Sequence, residues 1–490
     1  MGEGWELRPN LGEPAARRTL AQSPPPAYKI PAKIRRYLSV NLYKEEFQEI
    51  DQATPYLTAA PKRSKRFTPP ELRTLHDTGL PQSLIEQLIL KCLYFKGDLM
   101  GNEIAQSMGF RFSMIEKLIE SFKAQQLVQV KGSLGLGPVS ATLSLTEAGR
   151  RVTRDYLENN QYTGPAPVPL HQYVTAINMQ KLPNHWLSYE RLSEAYAHMV
   201  ISERVLNQIG PAVGSGKSFL IYGQPGNGKT YLAEALANIH TSPIWVPHAL
   251  EYQGNIIQLF DASYHRPFSE GSTAVSTETM SDGRWARCRR PFIASGGELS
   301  LSMLDLSYNT VSKIYDAPFH LKANNGIYLI DDFGRQRASP ADILNRWIIP
   351  MERHVDYLTF TYGGKMTVPF EAFLVFSTNL TPDKLGDEAF LRRIQYKMLL
   401  QSPDRAEFRS IFIQQCEKEG MKFSADLLDK FIVKNYVHSR KPFRRCQPRD
   451  LLSLVSDYIA FKRLPNELTE DLLDYAFECC FMADAQLVDA

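Results

Sequence analysis

The octapeptide GQPGNGKT, Gly223 to Thr230, holds the residue types that a phosphate-cradling turn needs. Gly223, Gly226 and Gly228, with Gln224, Pro225 and Asn227 between them, let backbone N–H groups close on an anion. Lys229 supplies a cation for phosphate oxygens, and Thr230 a hydroxyl for a magnesium ion. The preceding FLIY reads as a short buried strand, and YLAEALANI, from Tyr231, as a helix aiming its N-terminus at the anion. An earlier lysine in GSGKS, Lys217, fails the same test. Pro211 stands where the first glycine belongs, and the strand itself follows Ser218. Lys229 is therefore the phosphate lysine and Lys217 a surface residue.

A second apolar run, GIYLIDDFGR, delivers Asp331 and Asp332 to the edge of a parallel sheet. Asp331 is placed to hold Mg2+ together with Thr230, and Asp332 to polarise the attacking water. Four histidines, His240, His248, His265 and His320, are scattered without the spacing that zinc prefers, so no metal beyond Mg2+ is implied.

The elements that must position these groups belong to a chain of 490 residues, too long for one core. Its 43% apolar and 22% charged content is ordinary for a soluble protein, and a net charge of +3 is too small to argue for nucleic acid. No apolar run reaches the roughly 18 residues of a membrane span, no signal peptide is recognisable, and Glu6 spoils a myristoylation motif after Gly2. The six cysteines form no C-x-x-C pair, so reduced thiols and a cytoplasmic location are expected.

Residues 1–78 read as an extended arm with a short helix near 42–51 and a basic run from Lys62 to Arg66. Residues 79–160 follow the order of a winged helix-turn-helix, with Ser113 as N-cap of the recognition-position helix. That helix offers Lys117 and Lys123 but also Glu116 and Glu120, which favours protein contact over duplex DNA. Residues 161–184 read as a stiff Pro-rich linker. Two further hairpins are expected, one around Gln253-Gly254-Asn255 and one around Gly363-Gly364. Arg284, Arg287, Arg289 and Arg290 form a basic cluster able to attract phosphates or an acidic neighbour.

From residue 185 onward the chain resembles an AAA+ ATPase, an α/β P-loop core with a parallel sheet (185–401) followed by a helical lid (402–490). The resemblance implies further roles. FLVFSTNL ends in Asn379, similar to the sensor-1 residue that positions water. DEAFLRRIQYKMLL resembles the arginine-finger segment, with Arg393 the first choice and Arg392 the second. CQPRDLLSLV resembles the start of the sensor-2 helix, with Arg449 reaching the terminal phosphate. The hairpin before Asn379 resembles the pre-sensor-1 hairpin of MoxR-like proteins, and Tyr252 stands either as a pore-loop aromatic or as a hairpin-stabilising residue. Asp332 departs from the more common glutamate, which implies slower water activation. Taken together the resemblance implies ATP and Mg2+ as cofactors, a homo-hexameric ring, and chaperone-like remodelling of a protein partner selected by the winged helix. The alternative is a DNA-associated initiator, loader or transcription regulator.

Overall fold

The computed structural model describes residues 67–481 apart from 134–137, 184–185, 241, 269–281 and 386–390. Most of the expected N-terminal arm, its helix near 42–51 and the basic run from Lys62 to Arg66 lie outside these residues. Among the described residues no helix is long and apolar enough to cross a membrane.

The first part of the described chain comprises α1 (Gln82–Lys96), β1 (Leu99–Met100), α2 (Gly101–Met108), α3 (Phe112–Ala124), β2 (Val128–Ser133), β3 (Ala141–Leu145) and α4 (Glu147–Asn159). Gly109, at φ +76°, ends α2 in the left-handed conformation that glycine adopts without a steric cost. The apolar stripe of α3, including Ile115, Leu118, Ile119 and Phe122, is buried with α1 and the antiparallel sheet β1-β3-β2. Arg111, not Ser113, stands at the start of α3, because Phe112 is already drawn into the core. β1 had no sequence signal; two residues suffice to pair with β3.

The expected linker is not one. Residues 161–184 carry β4 (Val168–Pro169) and α5 (Leu170–Met179), with Val168, Tyr173 and Ile177 buried. Proline at the end of β4 suits a helix start and leads directly into α5.

Next come α6 (Tyr189–Ala195), α7 (Glu203–Ser215), β5 (Phe219–Tyr222), α8 (Lys229–Ala235), β6 (Ile244–Pro247), β7 (Ala249–Tyr252), β8 (Asn255–Gln258), β9 (Trp285–Cys288) and β10 (Phe292–Ser295). They are followed by β11 (Ser307–Asn309), β12 (Ile314–Asp316), α9 (Phe319–Lys322), β13 (Ile327–Ile330), α10 (Pro340–Arg353), β14 (Val355–Thr359), β15 (Lys365–Pro369), β16 (Phe373–Thr378) and β17 (Tyr396–Leu399). The central sheet is five-stranded and parallel in the order β10-β13-β16-β5-β17. Its inner strands read as continuous apolar runs because both faces are covered. Phe219, Ile221, Leu329 and Val375 face α6–α8, while Leu220, Tyr328, Ile330 and Phe376 face α10 and its fully buried Trp347. A second sheet, β11-β12-β8-β7-β4, and the ribbon β6–β9 hold the segment inserted between α8 and β13. Among the described residues four α-helices follow, α11 (Arg405–Lys418), α12 (Ala425–Ile432), α13 (Gln447–Lys462) and α14 (Glu470–Phe481), around a core with Phe408, Phe412, Phe431 and Leu452. The architecture is mixed α/β, a parallel sheet followed by a helical bundle.

The N-terminal part is bolted to the insertion. Gly283 donates its N–H to the Gly109 carbonyl at 3.1 Å, and their backbones meet so closely that neither position admits a Cβ. Beside them Arg284, 1% exposed, pairs with buried Asp282 at 2.8 Å and donates to the Thr78 carbonyl at 2.9 Å and the Pro167 carbonyl at 3.3 Å. Arg284→Leu leaves Asp282 as an uncompensated buried charge, so we expect a loss of about 3–5 kcal/mol. Denaturant unfolding checks this, with partial recovery in the double variant with Asp282→Leu.

The same bolt dissolves the expected basic cluster. Arg284 is consumed in the pair, Arg290 donates to the Asn325 and Gln180 carbonyls at 2.6 and 2.8 Å, and Arg287 lies 5.2 Å over the Phe268 ring. Arg289 is exposed. Arg284 and Arg290 tie loops together and Arg287 packs on an aromatic ring, while Arg289 alone turns out to solvent, so the four do not form one anion-attracting patch.

Candidate nucleotide site

The turn between β5 and α8 emerges at the C-terminal edge of the central sheet. Gly223 must be glycine because a Cβ there would run into the Leu400 carbonyl, and its N–H is held by the Thr378 carbonyl at 3.3 Å. Gly226 and Gly228 sit at φ +77° and +82°, which turns the loop back on itself before α8 begins.

Lys229 is 6% exposed, and its ammonium donates to the Gly223 and Gln224 carbonyls at 3.1 and 3.0 Å and to Asn379 Oδ1 at 2.6 Å. All three acceptors are neutral. Burial pulls its pKa below the usual lysine value, an effect opposed by the charges of Asp331 and Asp332 and reinforced by that of Arg444. A buried cation surrounded by neutral oxygens gains from an anion, and a phosphate group fits that need.

Thr230 donates its hydroxyl to Asp331 Oδ2 at 2.8 Å. A hydroxyl and a carboxylate oxygen in contact form the hard-oxygen pair that Mg2+ takes from protein while it keeps phosphate and water ligands. Next door, Asn379 Nδ2 donates to Asp332 Oδ1 at 3.1 Å. Asp332 is held at φ +48°, a conformation unusual for aspartate, by a peptide chain pinned on both sides. Asp331 N–H donates to the Ser295 carbonyl at 2.8 Å and Phe333 N–H to the Ser377 carbonyl at 2.7 Å. The strand order explains the assembly. β16, ending in Asn379, lies between the strand of the glycine turn and the strand of the two aspartates, so its amide bridges Lys229 to Asp332.

The remaining expected residues fall elsewhere. Tyr231 is 52% exposed and edge-on to His198 at 5.9 Å, at the side of α8 facing the segment before α7. Arg392 is exposed just before the edge strand β17. Arg393 donates to Glu352 Oε1 at 2.8 Å within the same chain. Arg449 is not aimed at the turn: its side chain is 70% exposed and pairs with Asp450 at 2.8 Å. The part of the lid that does touch the turn is the segment just before α13. Cys446 N–H donates to the Gly226 carbonyl at 2.9 Å, and Arg444 and Arg445 pack beside Gly226 and Gly228. Sequence reasoning passed over these two arginines; their position immediately ahead of the expected lid helix was the available signal.

Away from this edge the two expected hairpins form and their aromatic residues join. Tyr252, half-buried, stacks on Phe360 at 6.0 Å, and Phe360 stacks on Tyr362 at 5.3 Å. Asn255 Nδ2 donates to the Tyr362 hydroxyl at 3.3 Å. Tyr252 thus stabilises the hairpins, and the aromatic presented to solvent is Tyr362, 59% exposed.

The model of a domain of unknown function, DUF8689, matches residues 404–479, the helical bundle. No curated protein matches the chain. Among solved structures, NtrX from Brucella abortus is similar at 13% identity over 58% of this chain and 56% of that one, with a TM-score of 0.35. The chain thus spans little more than half of that protein. NtrX in complex with ADP gives 13% identity, 58% and 57% coverage and a TM-score of 0.34. A RuvB mutant from Thermotoga maritima gives 12% identity over 61% of this chain and 73% of that one, with a TM-score of 0.31.

Proposed function

We propose that the chain is a ring-forming ATPase of the AAA+ type that uses ATP to remodel a protein partner. The observation that carries this reading is the unbroken line of contacts from Lys229 through Asn379 to Asp332, with Thr230 on Asp331 beside it. Lys229 holds the β- and γ-phosphates, Thr230 and Asp331 hold Mg2+, and Asp332 accepts the proton of a water that Asn379 helps to orient. Mg2+, when bound, supplies charge neutralisation on the phosphates. All three N–H donors of Lys229 are engaged by neutral oxygens, so a phosphate takes the place of at least one of them.

A protein rather than a DNA substrate is supported by three features. The turn between α2 and α3 is covered by Gly283, so the N-terminal winged-helix-like module is not presented as a separate DNA reader. The outward residues of α3 mix Lys117 with Glu120, a poor match to a phosphate backbone. The stacked tips carrying Tyr362 offer an aromatic contact suited to a polypeptide. Nucleotide titration tests the site: Lys229→Ala is expected to weaken ATP binding by about a hundredfold, from loss of charge-assisted contacts to phosphate. Unchanged ATP affinity in a folded Lys229→Ala protein would remove the basis of the proposal.

A further inference from the structure

Opposite the glycine turn, at the N-terminal ends of β10, β13 and β16, the central sheet borders a cleft of ≈ 770 Å³ that opens to solvent. Its size is that of a small-molecule site. Lys181, Arg290 and Glu371 bring charge to it. Lys181 pairs with Glu371 at 2.7 Å, and His354 Nδ1 stands 3.8 Å from the same carboxylate.

Arg290 is met differently. It donates to the Asn325 carbonyl at 2.6 Å, the Gln180 carbonyl at 2.8 Å and Ser242 Oγ at 3.3 Å, all neutral. Those bonds take three of the five N–H donors of a guanidinium. Among the described residues no carboxylate pairs with it, and burial pulls its pKa down to about 10. A cation withdrawn from water and held only by neutral oxygens gains from an anion.

The lining beside this charge is flat and uncharged. Trp186 stacks on His240, with ring centroids 4.9 Å apart and planes 23° from parallel. Burial, aided by the charges of Arg290 and Arg191, pushes the His240 pKa down to about 3, so its ring is neutral. Its buried Nδ1 has no protein partner. We propose that this cleft binds a small planar apolar molecule bearing one carboxylate or sulfonate group, with the acid on Arg290 and the planar body against Trp186 and His240. It is a second ligand site, on the edge of the sheet away from the glycine turn, and it does not depend on that turn holding ATP.

The test titrates the full chain with anilinonaphthalene sulfonate and with N-phenylnaphthylamine, the same ring system without the acid group, and follows dye emission. The sulfonate dye is expected to saturate at one site per chain and to bind on the order of tenfold tighter than the uncharged one. Arg290→Met abolishes that preference. Glu371→Gln removes the negative charge of the cleft and raises sulfonate affinity several-fold, whereas Lys181→Ala leaves Glu371 unpaired and lowers it. Gly214→Leu, in α7 on the cleft wall, weakens both dyes; a Cβ there meets only Leu187, at 3.9 Å, so the change is accommodated. Saturating Mg-ATP does not displace the sulfonate dye. The proposal is overturned if the two dyes bind equally, if Mg-ATP displaces the sulfonate, or if Gly214→Leu leaves both affinities unchanged. Should Arg290→Met fail to fold, the opposite shifts of Glu371→Gln and Lys181→Ala decide, and their absence also overturns the proposal.

Discussion

Asp332→Asn is expected to bind ATP and scarcely turn it over. Its Oδ1 accepts from Asn379 at 3.1 Å, an interaction that an amide oxygen can keep, so the local hydrogen bonding and shape survive. What is lost is the charge that accepts a proton from water. A positioned general base contributes about a hundred- to ten-thousandfold, so turnover should fall roughly a thousandfold. Affinity for ATP should hold or improve, because one negative charge beside the triphosphate is gone. Phosphate release under saturating ATP, alongside equilibrium binding, measures both halves. A variant that hydrolyses at the original rate would move the base elsewhere.

Arg392→Ala is expected to lower turnover by about a thousandfold or more, the range of a finger supplied by a neighbouring subunit. Arg393 carried the first expectation from sequence, but its guanidinium is engaged by Glu352 of its own subunit, whereas Arg392 is exposed beside the edge strand. A finger acts in trans, so mixing should reveal it. Arg392→Ala chains keep an intact site, and Asp332→Asn chains keep an intact finger. A mixture of the two inactive proteins should therefore regain activity that neither has alone. Arg393→Ala is expected to cost less than about tenfold, since it breaks an ion pair of modest strength. If the mixture stays inactive and Arg393→Ala is the damaging change, the two assignments exchange places.

The reaction edge of the fold was legible because its chemistry is local in sequence. A glycine turn between an apolar strand and a helix can be recognised from one stretch, and so can a strand ending in two aspartates. Asn379 needed the family resemblance, because one asparagine after an apolar run says nothing without the knowledge that β16 lies between β5 and β13. The linker was misread because prolines dominate residues 161–184, while the burial of Tyr173 and Ile177 depends on β7 and β15, far along the chain. The basic cluster was misread for a similar reason. Charge density along a sequence cannot show that Arg284 turns inward to Asp282 and Thr78 while Arg289 turns out.

The account as a whole rests on subunits that complete one another's ATP sites. Its most direct test is the steady-state ATP hydrolysis rate per chain, followed as chain concentration is raised at physiological salt, with and without duplex DNA. The account predicts a rate per chain that climbs cooperatively with concentration and is indifferent to DNA. A rate per chain that is flat across concentrations would contradict a trans-acting arginine, and a rate that depends on DNA would contradict the protein-remodelling role.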